Sequence, residues 1–235
     1  MTTAAGTGVS SPKVLILYYS LSGQTTKLLN RLQSGLKKGG AEVVVEKIVP
    51  RAPWRFPFGT IPVTVFRMVT TFLRQRLPIL PLAPVNFQPY DLIILGGPTW
   101  SYNPSGPVLA LLDRDGPRLF KGKRVLPFIS CRGYWRLHWW GLRRLLERCG
   151  ALVDNVMVFS HPNPEPWRTI GVFLKLAGRN PERSSWLSRR YRRYGHSPGQ
   201  GDEAFRFGLL IGEALRRSTP LAELDFQTPT ALPRL

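Results

Sequence analysis

A strand, a hydroxyl-rich turn and a helix follow one another without interruption between residues 13 and 30, in the sequence KVLILYYSLSGQTTKLLN. Residues 14–19 are apolar throughout, which is typical of a strand buried on both faces of a parallel sheet. Leucines then recur on one side of the helical pattern that follows the turn. This arrangement constrains the fold more than any other stretch, because a buried parallel strand requires helices on both faces of its sheet.

The turn in the middle of this stretch is rich in groups that bind anions. Free backbone N–H groups and the helix dipole favour negative charge at a helix N-terminus. The residues that we expect to contribute are Ser20, Ser22, Gly23, Gln24, Thr25 and Thr26. Neither a Walker lysine nor the G-x-G-x-x-G spacing accompanies them, so neither nucleotide fingerprint applies. Taken alone, the pattern fits a phosphate site and an ordinary helix start equally well.

Strand patterns that alternate with helices predict an α/β fold with a doubly wound, five-stranded parallel sheet. The predicted strands cover residues 14–19, 41–49, 90–96, 124–130 and 151–159. A chain of 235 residues can bury one sizeable core, and we expect a single domain over residues 13–217. The segments expected outside this regular pattern are a disordered tail at 1–12, two insertions at about 50–89 and 160–200, and a loose tail at 218–235.

The charge of the chain is strongly basic, with 33 Lys and Arg residues against 14 Asp and Glu residues. This balance predicts attraction to anionic lipid surfaces, nucleic acid or acidic proteins. Two cysteines, Cys131 and Cys149, do not make a disulfide framework and favour a reducing cytosol. The first residues lack the pattern of a signal peptide, and no apolar run approaches the length that spans a bilayer. We therefore expect a cytoplasmic protein, either free or peripheral on the inner membrane face.

The first insertion has a helical pattern over residues 63–77, with Phe66, Val69 and Leu73 along one stripe. Two interpretations stay open. The helix either covers the sheet, or it forms an apolar lid or a membrane-surface helix with Trp54, Phe56 and Phe58 as interfacial anchors.

The second insertion contains a short apolar helix at residues 170–177 and a basic, aromatic run at residues 186–194. Its exposed arginines are expected to be Arg189, Arg190, Arg192 and Arg193. A solvated loop, a contact with an anionic membrane and nucleic acid binding all fit this run. Nucleic acid is the least favoured of the three, because no recognised binding module accompanies the charge.

Three unusual loops follow the first, third and fourth predicted strands, and ligands of open parallel sheets bind outside the carboxyl ends of the strands. The second of these loops contributes Pro98, Thr99, Trp100, Ser101, Tyr102 and Asn103, and the third contributes Cys131, Arg132, Gly133 and Tyr134. Because all three loops emerge at one edge of the sheet, we expect them to form a common ligand site.

With these loops, the chain resembles the flavodoxin-like flavoproteins. The resemblance covers residues 13–159 and the last helix, and it implies the strand order 2-1-3-4-5. It also implies that the first loop, of the pattern S-x-[ST]-G-x-T, holds the phosphate of FMN. The second and third loops would flank the isoalloxazine ring, with Trp100 or Tyr102 stacked on it.

Within this superfamily the inserts narrow the comparison. The segment GVFLKLAGRN is similar to the insert of menaquinone-dependent protoporphyrinogen oxidases, and the C-R-G-Y-W loop resembles small proteins labelled dialkylresorcinol condensing enzymes. The resemblance implies transfer of electrons or hydride between NAD(P)H and a small acceptor of the quinone type. Assembly into a homodimer stays open. Two alternatives stay open: a membrane-surface enzyme like the protoporphyrinogen oxidases, and a flavin-free accessory protein.

Individual side chains sharpen this expectation. Low-potential flavodoxins are acidic, whereas this chain is basic and Arg132 falls in a loop expected near the flavin. A cation there raises the reduction potential, which favours a two-electron reductase or a quinone-linked oxidase. Cys131 is interpreted as a small loop residue rather than a nucleophile. The three histidines lack metal-ligand spacing, so no metal is expected.

Overall fold

The computed structural model describes residues 11–233. The strands are β1 (Lys13–Tyr18), β2 (Glu42–Lys47), β3 (Leu92–Trp100), β4 (Asn103–Pro104), β5 (Val125–Cys131) and β6 (Met157–Ser160). The helices are α1 (Gln24–Lys38), α2 (Ile61–Phe72), α3 (Gly106–Phe120), α4 (Trp135–Arg148), α5 (Trp167–Leu176) and α6 (Pro198–Arg216).

Five strands form a parallel sheet in the order β2-β1-β3-β5-β6. This is the predicted order 2-1-3-4-5, because the two-residue strand β4 only pairs antiparallel with the end of β3. The predicted doubly wound α/β fold is therefore confirmed. The carboxyl ends of β1, β3 and β5 are neighbours in this order, so the three loops that follow them meet at one edge of the sheet.

The last strand begins at Met157, six residues later than the pattern predicted. Leu152 makes only an isolated bridge with Arg124. The intervening backbone is held by Asn155, whose Oδ1 accepts a hydrogen bond from the N–H of Val156 at 2.8 Å. A side chain thus replaces the neighbouring strand as a hydrogen-bond partner there.

Alternate residues of β1 pack on opposite sides of the sheet, as the period of a strand requires. Val14 and Ile16 contact the side covered by α1 and α6, and Leu15 and Leu17 contact the side covered by α3 and α4. All four side chains are fully buried. The uninterrupted apolar run therefore results from burial on both faces.

The C-terminal segment packs on the domain and differs from the expected loose tail. Within residues 218–233, Phe226 and Ala231 are buried, and Phe226 packs edge-on against Phe207 of α6. The carbonyl of Ala231 accepts a hydrogen bond from the N–H of Ser160 at 3.0 Å. The expectation of a loose tail is therefore wrong for this segment. The expected N-terminal tail lies outside the described residues except for residues 11 and 12.

Helix α2 of the first insertion turns its polar side towards the domain and its apolar side towards solvent, the reverse of an ordinary surface helix. It buries its hydroxyl residues Thr64 and Thr71, and it exposes large apolar side chains. The exposed apolar residues on or next to the helix are Ile61, Val63, Val65, Phe66, Val69, Phe72 and Leu73. Among residues 11–233, no helix has both the length and the apolar character needed to cross a bilayer.

Candidate functional site

The loop between β1 and α1 has the features of an anion site. Gly23 precedes the helix with φ 79°, a left-handed conformation that glycine adopts without strain. The first turn of α1 contains no acidic residue, and no side chain caps it. The N–H groups of Gln24, Thr25 and Thr26 have no hydrogen-bond acceptor among residues 11–233. Three backbone donors are therefore available at the positive end of the helix.

A buried hydroxyl next to these donors also lacks a partner. Ser20 is 6% exposed, and its Oγ makes no hydrogen bond within residues 11–233. A buried polar atom without a partner costs free energy unless a ligand or water satisfies it. Ser22 Oγ accepts a hydrogen bond from the hydroxyl of Tyr194 at 3.0 Å and keeps its own proton to donate.

A cavity of about 110 Å³ lies over this loop. The carboxyl ends of β3 and β5 and the loops after β1, β5 and β6 meet around it. The polar or charged side chains that line it are Ser20, Ser22, Gln24, Thr25, Thr99, Ser130, Arg132, His161 and Tyr194. No Asp or Glu is among its lining residues. The small cavity therefore offers hydrogen-bond donors and one arginine to an anion.

A larger, mainly apolar cavity of about 530 Å³ adjoins the small one. Its volume lies in the range of small-molecule and cofactor sites. The first insertion and α5 supply much of its wall, through residues that include Trp54, Phe58, Met68, Phe72, Val172 and Phe173. Leu21, Thr99, Trp100, Arg132, Val172 and Leu176 line both cavities. The two cavities thus form one cleft with a polar end and an apolar end.

Most of the predicted site residues come together around this cleft. Thirteen of the sixteen line one cavity or both, and Gly23, Thr26 and Asn103 line neither. Gly23 shapes the turn, and Thr26 follows it in α1. Asn103 instead donates hydrogen bonds from Nδ2 to the carbonyls of Thr71 and Phe72, so it holds the end of α2.

Sequence reasoning did not include His161 and Tyr194 of the second insertion among the site residues, and it named Trp54 and Phe58 only as anchors of an apolar lid or a membrane-surface helix. His161 directly follows β6, so the rule that sites lie beyond the carboxyl ends of strands applied to it as well. Tyr194 carries no comparable signal, because 172 residues separate it from Ser22. Only the tertiary structure brings it to the first loop.

Two aromatic contacts bear on how a planar ligand would bind. Trp54 is stacked on Trp100, with ring centroids 5.0 Å apart and planes at 8°, so one face of Trp100 is already covered. Tyr102 and Tyr134 meet edge to face at 5.8 Å. Ser101, Tyr102 and Tyr134 have positive φ angles although none is glycine. Backbone strain of this kind, about 1–3 kcal/mol at each residue, is concentrated at functional sites in proteins.

Burial keeps the Cys131 thiol and the His161 imidazole at the cleft neutral. Burial raises the pKa of the Cys131 thiol to about 12, so it stays protonated and is a poor nucleophile at neutral pH. Burial, followed by the charges of His196, Arg168 and Arg132, lowers the pKa of His161 well below its usual value. The Nδ1 atom of His161 has no hydrogen-bond partner within residues 11–233. A neutral, unpaired imidazole therefore adjoins the small cavity.

A second buried histidine orients a hydroxyl at the junction of the two cavities. His138 Nδ1 lies 2.7 Å from Thr99 Oγ1, and burial lowers the pKa of His138 to about 3. The imidazole is thus neutral at physiological pH. Its tautomer decides whether the Thr99 hydroxyl donates to it or accepts from it.

A buried arginine supports the third loop from behind. Arg168 is 1% exposed, lies 3.1 Å from Glu165 Oε1, and donates from Nη1 to the carbonyl of His161 at 3.1 Å. Its guanidinium packs so closely on Gly133 that a Cβ at that position would lie 2.8 Å from Nη2. Any larger residue at 133 would therefore have to displace this guanidinium. Within residues 11–233, no cluster of three or more His, Cys, Asp or Glu side chains is placed to hold a metal ion.

Comparisons with known proteins find relatives that match part of the chain in sequence. No model of a known protein family matches it. It is 31% identical over 116 residues to an NAD(P)H dehydrogenase (quinone) of Archaeoglobus fulgidus, covering 48% of this chain and 56% of the relative. It is 33% identical over 110 residues to an NAD(P)H dehydrogenase (quinone) of Azorhizobium caulinodans, covering 47% of this chain and 50% of the relative. The chain thus spans about half the length of these curated relatives.

A solved structure supports the fold assignment. A flavodoxin from the domain Archaea superposes with a TM-score of 0.50 at 13% identity, covering 87% of this chain and 99% of the flavodoxin. Its likeness at this identity concerns the fold alone. Together with the observed strand order, it establishes that the chain has the flavodoxin-like fold.

Proposed function

We propose that the cleft binds FMN, with the phosphate in the small cavity. The observation that carries this proposal is the convergence of three free N–H groups and the unpaired hydroxyl of Ser20 on a cavity lined by no acidic residue. A phosphate accepts several hydrogen bonds and carries the negative charge that the helix N-terminus favours. The residues therefore fit the group. Ser20, Ser22 and Thr25 would hold its oxygens through their hydroxyl groups, and the start of α1 through its N–H groups.

The larger cavity fits an aromatic ring system. Aromatic residues from separate parts of the chain line it. Trp54 and Phe58 come from the first insertion, Trp100 ends β3, and Tyr102 and Tyr134 lie in the loops after β3 and β5. Since Trp54 covers one face of Trp100, a flavin would stack on the other face or displace Trp54. When bound, FMN would supply two-electron redox chemistry, and the protein would orient it and tune its potential.

The proposed reaction is reduction of a quinone by NAD(P)H. Both curated relatives carry the name NAD(P)H dehydrogenase (quinone), although the chain matches only about half of each. The apolar wall formed by Val65, Met68, Val69 and Phe72 suits a lipophilic acceptor. No buried carboxylate lines the cleft, so the protein side chains contribute binding and polarity rather than a strong general base.

Reconstitution tests the proposal. The purified chain is titrated with FMN while flavin fluorescence is recorded, and the complex is then mixed with NADH or NADPH and a short-chain quinone. We expect saturable quenching and quinone-dependent oxidation of the nicotinamide. A chain that does not bind FMN would contradict the proposal and favour a flavin-free accessory role for the fold.

Replacement of Arg132 by Gln is expected to lower the two-electron reduction potential of bound FMN by some tens of millivolts. Arg132 lines both cavities, and a cation near the flavin stabilises the negative charge that reduction adds. The potential is measured by equilibration with a reference dye. Arg136→Gln is the matched control, because Arg136 is exposed, lies four residues away and lines neither cavity. Equal potentials in both variants would show that Arg132 does not tune the flavin.

We also propose that the protein works at an anionic membrane surface. Arg189, Arg190, Arg192 and Arg193 are exposed, and within residues 11–233 none of them forms a salt bridge. Arg190 packs over the ring of Trp167 at 4.5 Å, close to the exposed Trp186. Basic and aromatic side chains together are typical of contacts with lipid headgroups.

A further inference from the structure

Six of the seven apolar side chains exposed on or next to α2 form one continuous face. Ile61, Val65, Phe66, Val69, Phe72 and Leu73 fall within an arc of about 140° at 100° per residue. Phe66 and Phe72 are each 61% exposed, and Leu73 is 72% exposed. A contiguous apolar patch of this kind on a folded domain marks a surface that another molecule covers. We name these six residues the α2 face.

Hydrogen bonds hold α2 in this orientation. The hydroxyl of Ser101 donates to the carbonyl of Met68 at 2.9 Å and pairs with Thr71 Oγ1 at 2.8 Å. Asn103 Nδ2 donates to the carbonyls of Thr71 and Phe72 at 3.3 and 3.2 Å. The loop after β3 therefore binds the polar side of the helix. A rotation that buried the α2 face would break these hydrogen bonds with Ser101 and Asn103.

The α2 face is also the rim of the larger cavity. Val65, Val69, Phe72 and Leu73 line that cavity and are at the same time exposed to solvent. A surface that covers the α2 face would consequently meet the opening of the cavity. An apolar ligand could then pass between the two without crossing water.

The charge of the two insertions indicates which kind of molecular surface would cover the α2 face. Residues 50–89 contain five arginines and no Asp or Glu, and residues 160–200 contain eight Lys or Arg residues and two glutamates. The two insertions are joined, since the N–H of Phe58 donates to the carbonyl of Leu176 at 2.7 Å. An apolar face on a strongly basic unit is complementary to an anionic bilayer, and repels a second copy of the same basic surface.

We propose that the α2 face inserts into the headgroup region of an anionic bilayer, with the exposed arginines of the two insertions bound to lipid phosphates. At twelve residues, α2 lies along the interface rather than across it. The mouth of the larger cavity then faces the lipid, from which a quinone with an apolar tail enters. That last step rests on the proposed quinone reductase activity, whereas the docking itself does not.

Vesicle sedimentation with two matched leucine variants tests the docking. Leu73→Ser removes an apolar side chain from the α2 face, and Leu152→Ser makes the same change at a site that is 53% exposed beside Arg124, at the opposite edge of the sheet. The vesicles contain phosphatidylcholine alone or mixed with an equal amount of phosphatidylglycerol. We expect wild type and Leu152→Ser to partition onto the mixed vesicles equally, and Leu73→Ser about tenfold less.

Salt separates the apolar contribution from the electrostatic one. Changing Arg189, Arg190, Arg192 and Arg193 to Glu is expected to weaken binding to the mixed vesicles at low salt and to change it little at high salt, where the charges are screened. The loss caused by Leu73→Ser is expected at both salt concentrations. Identical partitioning of the two leucine variants would overturn the role of the α2 face.

Two further measurements distinguish the remaining outcomes. Sedimentation equilibrium without lipid detects self-association. If the wild-type chain forms a dimer that Leu73→Ser abolishes, and the wild-type chain does not bind vesicles, the α2 face contacts a second copy and the proposal is overturned. FMN affinity is measured for every variant in solution. Retained FMN binding with no wild-type vesicle binding refutes only the docking, and vesicle binding without FMN binding refutes only the proposed enzyme.

Discussion

A Ser22→Asp variant is expected to bind FMN at least about 100-fold more weakly than the wild-type chain. Ser22 lines the small cavity in the loop that precedes α1. A carboxylate there repels the phosphate, and two unit charges about 4 Å apart near a protein surface interact by about 4 kcal/mol. The same carboxylate can accept hydrogen bonds from the free N–H groups of α1, so it replaces the ligand without destabilising the fold. Fluorescence titration measures the change.

Riboflavin and a second Asp variant control this experiment. Riboflavin lacks the phosphate, and the carboxylate introduced by Ser22→Asp would be distant from the isoalloxazine ring. The affinity for riboflavin is therefore expected to change no more than about threefold. Asn30→Asp adds the same charge to the exposed side of α1, outside both cavities, and FMN affinity is expected to stay near the wild-type value. Equal losses for FMN and riboflavin in Ser22→Asp would mean that the small cavity does not hold the phosphate.

Acidification between pH 6.5 and pH 4 is expected to lower the free energy of unfolding by about 3 kcal/mol through His196 alone. Burial lowers the pKa of His196 from 6.5 to about 4. Above pH 6.5 the imidazole is neutral in both states and contributes no pH dependence. Below it the unfolded chain binds a proton that the folded chain does not, so stability falls until the pH approaches 4. Urea denaturation at a series of pH values measures this slope.

His196 is only 7% exposed, and this burial excludes the proton although both ring nitrogens have hydrogen-bond partners. Its Nε2 lies 2.8 Å from Ser130 Oγ and its Nδ1 lies 3.2 Å from Gln200 Oε1, and the ring meets that of His161 at 5.0 Å. A His196→Gln variant removes the titrating group. It is expected to be less stable at pH 7 but to show a shallower dependence on pH between 6.5 and 4. The same slope in wild type and variant would assign the pH dependence to His138 and His161 instead.

The doubly wound fold and most of the candidate site follow from local patterns. Residues 14–17 are apolar at every position because β1 is buried on both faces, and this run of apolar residues predicts a buried strand from the sequence alone. Loops that follow parallel strands must meet at the carboxyl edge of the sheet, so the predicted residues after β1, β3 and β5 line one cleft. The predicted start of the last strand failed because Asn155, a single side chain, replaces a strand partner.

The sequence by itself determined the α/β class, the strand order expected from the resemblance, and the edge of the sheet at which the candidate site lies. Only the tertiary structure decided which side of α2 faces solvent, since Ser101 and Asn103 select its polar side from about 30 residues away. Only it brought Tyr194 to Ser22 and His161 to the small cavity. The hydrophobic periodicity of a sequence shows that a helix has one polar and one apolar face. Contacts between distant segments of the chain decide which of these two faces packs on the domain.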